Sequence, residues 1–387
     1  MTRRYSPFAE EVFKERLTRA RGAIAAAGLD ATLVVALEHL YYFGGYDCWV
    51  GVNSPQALVF TKGSDAPTLI VRNVDLPLAR ETSWVADIRT YHLHAEDFGA
   101  LVAKVLAEKG VKGGRVGVEF QTYALPFSMG RSLAAALAPA ELVDTTDVLG
   151  ALRLIKSDAE IALLTRAGQH AAKGLEAFRQ AARTGVTEMA LSAAVEAAVR
   201  GSGSDYWSIP VELASGERTA GGHGTARERV IEPGDLVHIE FAGVAERYHA
   251  TAIQTLACGA PSGRARDLYR IGLQSLAAGV AAVRDGVPVA EVEEASLVPL
   301  RREGLEHAAM MRFGYGIGIA YPPIWLEPLQ ISRGIDQRLA PGMVFVLHSC
   351  LELADEAIGV VQGGTYVLER GGLRMLAGAG DVPLAVT

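Results

Sequence analysis

Pro233-Gly234-Asp235-Leu236-Val237-His238-Ile239-Glu240-Phe241 decides how the second half of this chain is read. Pro-Gly-Asp marks a turn, and the residues after it have strand character. Side chains alternate across a strand, so His238 and Glu240 share one face while Val237, Ile239 and Phe241 share the other. Ala242 to Arg247 then reads as a turn, and Tyr248 to Leu256 returns as a second strand carrying His249 and Thr251. An amphipathic helix follows over about Arg266 to Arg284. Another covers about Pro288 to Gly304, with a kink or break expected at Pro299. Gly342 to Leu353 and Ile358 to Glu369 form a second strand pair. Two helix-plus-hairpin units of this kind predict an α+β fold, a curved antiparallel sheet backed by helices.

Toward the N-terminus the rhythm changes. Ser157 with Glu160 is a capping box, opening a long helix that ends near Gly185, and Thr187 opens another that ends near Gly201. Before them, Ser6 to Ala27 reads as an amphipathic helix stopped by Gly28. Ala31 to Leu37, Ala57 to Phe60, Thr68 to Val71 and Arg115 to Glu119 are β-type runs, with helical patterns such as Asp97 to Lys109 between them. This alternation predicts an α/β domain with a small covered sheet. The change of pattern places the boundary near residues 150–156, giving domains 1–153 and 154–387.

Composition narrows the function classes. The chain has 387 residues, is 50% hydrophobic and carries a formal net charge of −7. Two domains with sizeable cores fit that length. Nothing basic is concentrated for nucleic acid. The three cysteines lie far apart and read as free, buried residues. No apolar run resembles a signal peptide or a membrane span. A cytoplasmic protein with no membrane association is expected.

Further stretches follow in a fixed order. These are Leu152-Arg153-Leu154-Ile155-Lys156-Ser157, Gly314-Tyr315-Gly316-Ile317-Gly318 and Pro341-Gly342-Met343-Val344-Phe345. Together with Pro233 to Val237 and the N-terminal Tyr41-Tyr42-Phe43-Gly44-Gly45-Tyr46, they resemble the creatinase and aminopeptidase P superfamily (peptidase M24). The resemblance spans nearly the whole chain. It implies a pita-bread catalytic domain over 154–387, a creatinase/prolidase-like domain over 1–153, and a homodimer. Metal-dependent members hold two cations between Asp, Asp, His, Glu and Glu. The matching positions here carry Glu240, Thr251, Tyr315, His348 and Gly363, with Gln362 as the alternative to Gly363. A catalytic metal site needs about three protein ligands. Glu240 and His348, even joined by His223, suit at most a single ion, so no metal and no other cofactor is expected.

A narrower resemblance is to the metal-independent ectoine-hydrolase and creatinase-like branch. Ile239-Glu240-Phe241-Ala242-Gly243-Val244, Arg247-Tyr248-His249-Ala250, and Tyr321-Pro322-Pro323 with Trp325 and Glu327 carry it. It implies cleavage of a non-peptide C–N bond in a small zwitterionic or cationic substrate. Val346 to Cys350 and Val361 to Gly364 depart from the ectoine type, so the substrate need not be ectoine.

Each candidate residue has two readings. Glu240 is a base, a nucleophile or an anchor for a cation, or else a buried partner of an arginine such as Arg247. His223, between glycines, shuttles protons or is an exposed loop residue. His249 serves the site or bonds a backbone carbonyl. Tyr315 donates to a developing oxyanion or fills space by packing. His348 orients Glu240 or Tyr315, while His238 reads as structural. Tyr321, Trp325 and Glu327, placed on a loop, and Trp207 offer aromatic contacts to a delocalised cation or plug the core. Tyr46, Asp47 and Trp49 would close a partner's site in the implied dimer. Three functions remain open: a metal-independent C–N hydrolase of an amidine, guanidino or cyclic amino-acid-like substrate; a lyase, cyclase or isomerase on the same scaffold; or a non-catalytic binding relative.

Overall fold

The computed structural model describes residues 5–51, 54–380 and 382–387. The chain divides into two units, Met1–Arg153 and Leu154–Thr387. In the first, a six-stranded mixed sheet runs in the order Asp87–Tyr91, Thr68–Arg72, Ala57–Thr61, Ala31–Val34, Arg115–Val118, Glu141–Asp144. Helix Phe98–Glu108 covers it, with Leu33, Val59, Val102, Val116 and Leu133 in the shared core. The first strand is shorter than its apolar run predicts, because Leu37–Gly44 is a helix. Glu119, itself buried, decides this. Its Oε2 accepts the backbone N–H groups of Val35 (2.6 Å) and Ala36 (2.8 Å), and its Oε1 pairs with His39 Nδ1. Those amides are thereby taken out of the ladder and held at a helix N-terminus.

The second unit is a fully antiparallel eight-stranded sheet. Seven strands run in the order Ile324–Ile331, Gly314–Tyr321, Val344–Leu353, Ile358–Glu369, Tyr248–Cys258, Asp235–Ala245, Glu212–Ser215, and Gly372–Gly378 pairs off the fourth. Helices Asp158–Ala181 and Glu188–Gly201 back one half, and Gly263–Ala282 with Val289–Arg302 back the other. The capping box at Ser157 and Glu160 is formed. Val237, Ile239 and Phe241 enter the core beneath the first helix pair, joining Leu175, Phe178 and Val195. Their strand neighbours His238 and Glu240 therefore face away from the helices. Mixed α and β layers of this kind, sheet on one side and helices on the other, are the pita-bread architecture.

Three local expectations are corrected. The strand from Asp235 runs on to Ala245 and turns through Glu246 and Arg247, whose φ values are 50° and 66°. That is a two-residue hairpin turn made without the usual glycine or asparagine, so its signature is hidden. Helix Val289–Arg302 continues through Pro299, so the break, one of the two outcomes expected there, does not occur. One backbone hydrogen bond is lost there, but Val292, Leu297 and Leu300 stay buried and hold the helix in place. Tyr321, Trp325 and Glu327 lie on a hairpin, Gly314–Tyr321 with Ile324–Ile331, and not on a loop. Among the described residues no helix is long and apolar enough to cross a membrane.

Gly243 shows how closely helix and sheet approach. A Cβ there would sit 2.1 Å from the carbonyl oxygen of Ala167 and 2.5 Å from the nitrogen of Ala171. Both obstacles are backbone of the long helix, so neither yields as a flexible side chain would. Gly243→Ala is expected to destabilise the catalytic unit by about 1–3 kcal/mol through overpacking. Thermal and denaturant unfolding followed by circular dichroism checks this; an unchanged midpoint would contradict the close approach.

Candidate active site

The helix-free face of the large sheet lines an open cavity of about 780 Å³ including its mouth. Glu240 and His238 reach it from strand Asp235–Ala245, Tyr315 from strand Gly314–Tyr321, and Trp325 from the strand after it. His348 and Cys350 enter from Val344–Leu353, and His223 and Met311 from loops. Strands from both halves of the sheet thus converge on one place.

Tyr315 holds Glu240 in place. The Tyr315 hydroxyl donates to its Oε1 at 2.7 Å, and Trp325 Nε1 donates to the same hydroxyl at 3.2 Å. The chain Trp325–Tyr315–Glu240 therefore points its hydrogen bonds at one carboxylate. The alternative partner, Arg247, is engaged elsewhere: its guanidinium lies 4.0 Å from the Tyr206 ring centroid and 5.9 Å from that of Tyr321. Burial pushes the Glu240 carboxyl well above the ordinary range, and a second carboxylate, Glu212, raises it further. The Tyr315 phenol is raised as well, by burial and by the neighbouring Glu240 charge, so it remains a donor.

Glu212 escaped the sequence reading. It sits on the edge strand Glu212–Ser215, directly opposite Glu240 in the antiparallel register. Directly opposed Cβ atoms lie about 4.5–5.5 Å apart. Burial raises the Glu212 carboxyl too. Its signal was the alternation Val211-Glu212-Leu213: both apolar residues are in the core, so the acid must face the cavity.

Three histidines of this unit are neutral for one reason. Burial pushes His238, His249 and His348 down to about 4. Nearby cations add to this, Arg218 for His238, Arg247 for His249 and Arg312 for His348. His238 and His348 line the cavity, and among the described residues the Nδ1 of each has no hydrogen-bond partner. His249 does not line it. Its Nδ1 lies 2.8 Å from the Arg247 carbonyl oxygen and its Nε2 accepts from Ser208 N at 3.1 Å, which ties the preceding loop to the strand. His223 is exposed on its loop with φ 59° and lines the cavity.

The remaining candidates fall outside the cavity lining. Trp207 packs against the core of the first helix pair. Tyr321 is buried against Arg247. Glu327 forms an almost fully buried ion pair with Lys156. Tyr46 is buried in the first unit, its hydroxyl donating to Gln56 Oε1 at 2.7 Å, and Trp49 of that unit is 66% exposed.

The residues present do not suit a metal centre. Thr251 is fully buried and offers one hydroxyl, Gly363 lies opposite His348 with no side chain, and Gln362 turns away to donate to the Tyr269 carbonyl at 3.1 Å. Tyr315 spends its hydroxyl on Glu240. Among the described residues no three His, Cys, Asp or Glu side chains are grouped to hold an ion.

Comparison with known proteins fits this architecture. The profile of the metallopeptidase family M24 matches residues 162–375, and that of the creatinase/prolidase N-terminal domain matches 16–155. The chain belongs to metallopeptidase family M24. In class it is a hydrolase of the M24/creatinase type. It is similar to the ectoine hydrolase of Halomonas elongata (26% identity over 92% of this chain and 93% of the relative). It is also similar to a creatinase of a Bacillus species (28% identity, 90% of this chain and 85% of the relative). A Xaa-Pro dipeptidase structure from Bacillus anthracis superposes with a TM-score of 0.85 at 25% identity, covering 97% of this chain and all of that one.

The raised Glu240 carboxyl has a consequence for stability. With Glu212 it forms an interacting pair whose folded values exceed the unfolded 4.5, so the pair keeps a proton in the fold that the unfolded chain releases, and stability falls as pH rises from the unfolded value through the folded ones. Glu240→Gln lacks Glu240's share of this loss. The variant is expected to gain stability relative to the parent progressively as pH is raised from 5 to 8.5, in urea unfolding series. A difference that stays constant across that range would contradict the burial of this charge.

Proposed function

We propose that this chain is a metal-independent hydrolase of a non-peptide C–N bond in a small amidine, guanidino or cyclic amino-acid-like substrate. The observation that carries this reading is the Tyr315–Glu240 hydrogen bond. It occupies the place where the family pattern calls for a metal ligand on each side, and the cavity around it offers the carboxyls of Glu240 and Glu212, a phenol, buried imidazoles and Arg312. The likeness to ectoine hydrolase and creatinase supports it, since both names describe C–N substrates that are not peptides.

In this reading Glu240 takes a proton from the attacking water or anchors the substrate cation. Tyr315, kept protonated by its surroundings, directs Glu240 and lies near the oxygen that develops charge. His348 and His238, lowered by burial, add no positive charge to the cavity, which Arg312 also lines. His223, on its exposed loop, is free to exchange protons with solvent. The likeness to a Xaa-Pro dipeptidase favours a second reading, peptide hydrolysis. Incubation with ectoine, creatine and a Gly-Pro dipeptide in ¹⁸O-labelled water, followed by mass spectrometry, separates the readings by which product carries the label.

Activity is expected to survive chelation, with elemental analysis finding less than stoichiometric metal. Glu240→Gln is expected to lower turnover on the order of 10²–10⁴-fold with the fold intact. Activity abolished by chelator and restored by manganese or cobalt would overturn the metal-independent reading. We propose also that the protein is a homodimer, and light scattering across micromolar concentrations should return twice the chain mass.

A further inference from the structure

We propose that Glu212 is a second catalytic carboxyl: Glu240 takes the proton of the attacking water, and Glu212 hands one to the departing nitrogen. This rests on the C–N hydrolysis reading above and adds a residue that none of the motifs includes.

The geometry comes first. Glu212 and Glu240 are direct antiparallel partners on neighbouring strands, and both line the cavity. Their strand neighbours Leu213 and Ile239 are core residues, so a register shift that separates the two acids would expose the core. The second observation is His348. It is 4% exposed, lines the same cavity, and leaves Nδ1 without a protein partner. A buried imidazole nitrogen left open beside two acids marks a place for a ligand's polar atom.

Two buried carboxylates side by side do not both ionise readily, because each charge opposes the other and burial opposes both. Both carboxyls are raised, Glu240 by burial and by the Glu212 charge and Glu212 by burial, so the pair holds a proton between its members. Among the described residues Tyr315 donates to Glu240 and no side chain donates to Glu212, and that bond, which opposes the rise at Glu240 alone, favours the charge of the shared-proton pair there. The groups facing the pair agree: His238 from the same strand and His348 from across the sheet are neutral, while Tyr315 is protonated. Arg312 lines the same cavity and supplies positive charge there.

The step balances. Water oxygen bonds to the substrate carbon as its proton passes to Glu240. The C–N bond then breaks, and the nitrogen takes the proton of Glu212. The pair ends as Glu240 protonated and Glu212 ionised, and one proton transfer between neighbours restores it. No metal, oxidant or third reactant is consumed.

The first measurement needs no substrate. Carboxyl ¹³C spectra of the glutamate-labelled protein are recorded against pH for the parent, Glu212→Gln and Glu240→Gln. Signals missing in the variants assign the pair. In the parent, one of the two carboxyls should remain protonated near neutral pH. In Glu212→Gln the Glu240 midpoint should fall by about one pH unit or more, as expected when a like charge is removed. Two independent titrations in the ordinary carboxylate range would overturn the proposal, whether or not either variant is active. The second measurement uses whichever of ectoine, creatine or Gly-Pro is hydrolysed. Glu212→Gln should reduce kcat more than KM and remove the alkaline limb of the pH–rate profile, because that limb reports loss of the acid's proton. Unchanged kcat and an unchanged alkaline limb would overturn the role of Glu212 while leaving C–N hydrolysis standing. Failure of all three compounds to take up labelled oxygen would instead strike the hydrolysis reading, and the spectra would still decide the pair.

Discussion

Everything at the cavity follows from placing acids and imidazoles on the face of a sheet whose opposite face is core. Val237, Ile239 and Phe241 fix the strand against the long helix, and that leaves His238 and Glu240 no choice of direction. Desolvation then acts on both kinds of group in the same sense: it raises carboxyls and lowers imidazoles, and each moves toward its uncharged form. The result is a site with several titratable residues and little net charge. A hydrogen-bond donor aimed at one carboxylate opposes this trend at Glu240, and Tyr315 is that donor, itself aligned by Trp325.

The same scaffold explains how a family position changes its contents without changing its place. Glu240, Tyr315 and His348 still converge although they come from three strands in different parts of the chain. The strand register brings them together, and the register is maintained by the core below. What fills each position is then free to vary in chemistry. Thr251 and Gly363 are small, and Tyr315 is long enough to span to Glu240 directly.

The strand with Glu240, its return strand, the capping box at Ser157 and the helix pairs were legible because each has a strong local signature. The α+β class and the family follow from their order. Other features were hidden for identifiable reasons. The hairpin carrying Trp325 and Glu327 is masked by glycines and by Pro322-Pro323, which read as breaks. Glu212 lies on a strand of four residues, too short for alternation to stand out. Trp207, Tyr321 and His249 looked like site residues from their neighbours in sequence, but burial against a helix, an arginine or a loop is decided by tertiary packing, which local patterns do not encode. Lys156, read as part of the entry motif, turned out to be the partner of Glu327, a pairing across most of the unit's length.

Register is the last constraint, and it reaches the chemistry through an ordinary turn. Glu246 and Arg247 both adopt positive φ, which costs a non-glycine residue about 1 kcal/mol or more. The fold retains them because the turn fixes Glu240 opposite Ile253 on one side, while the edge strand fixes it opposite Glu212 on the other. A slip of one residue in this hairpin would turn Glu240 into the helix core and bring Ile239 or Phe241 to the cavity. The buried carboxylate would then lose Tyr315, and the core would lose its aromatic anchor under Gly174, where Phe241 leaves no room even for a Cβ. Strain in two turn residues is small beside those losses. The hairpin therefore has one workable register, and the position of the acid in the cavity is set by packing on the face that never touches it.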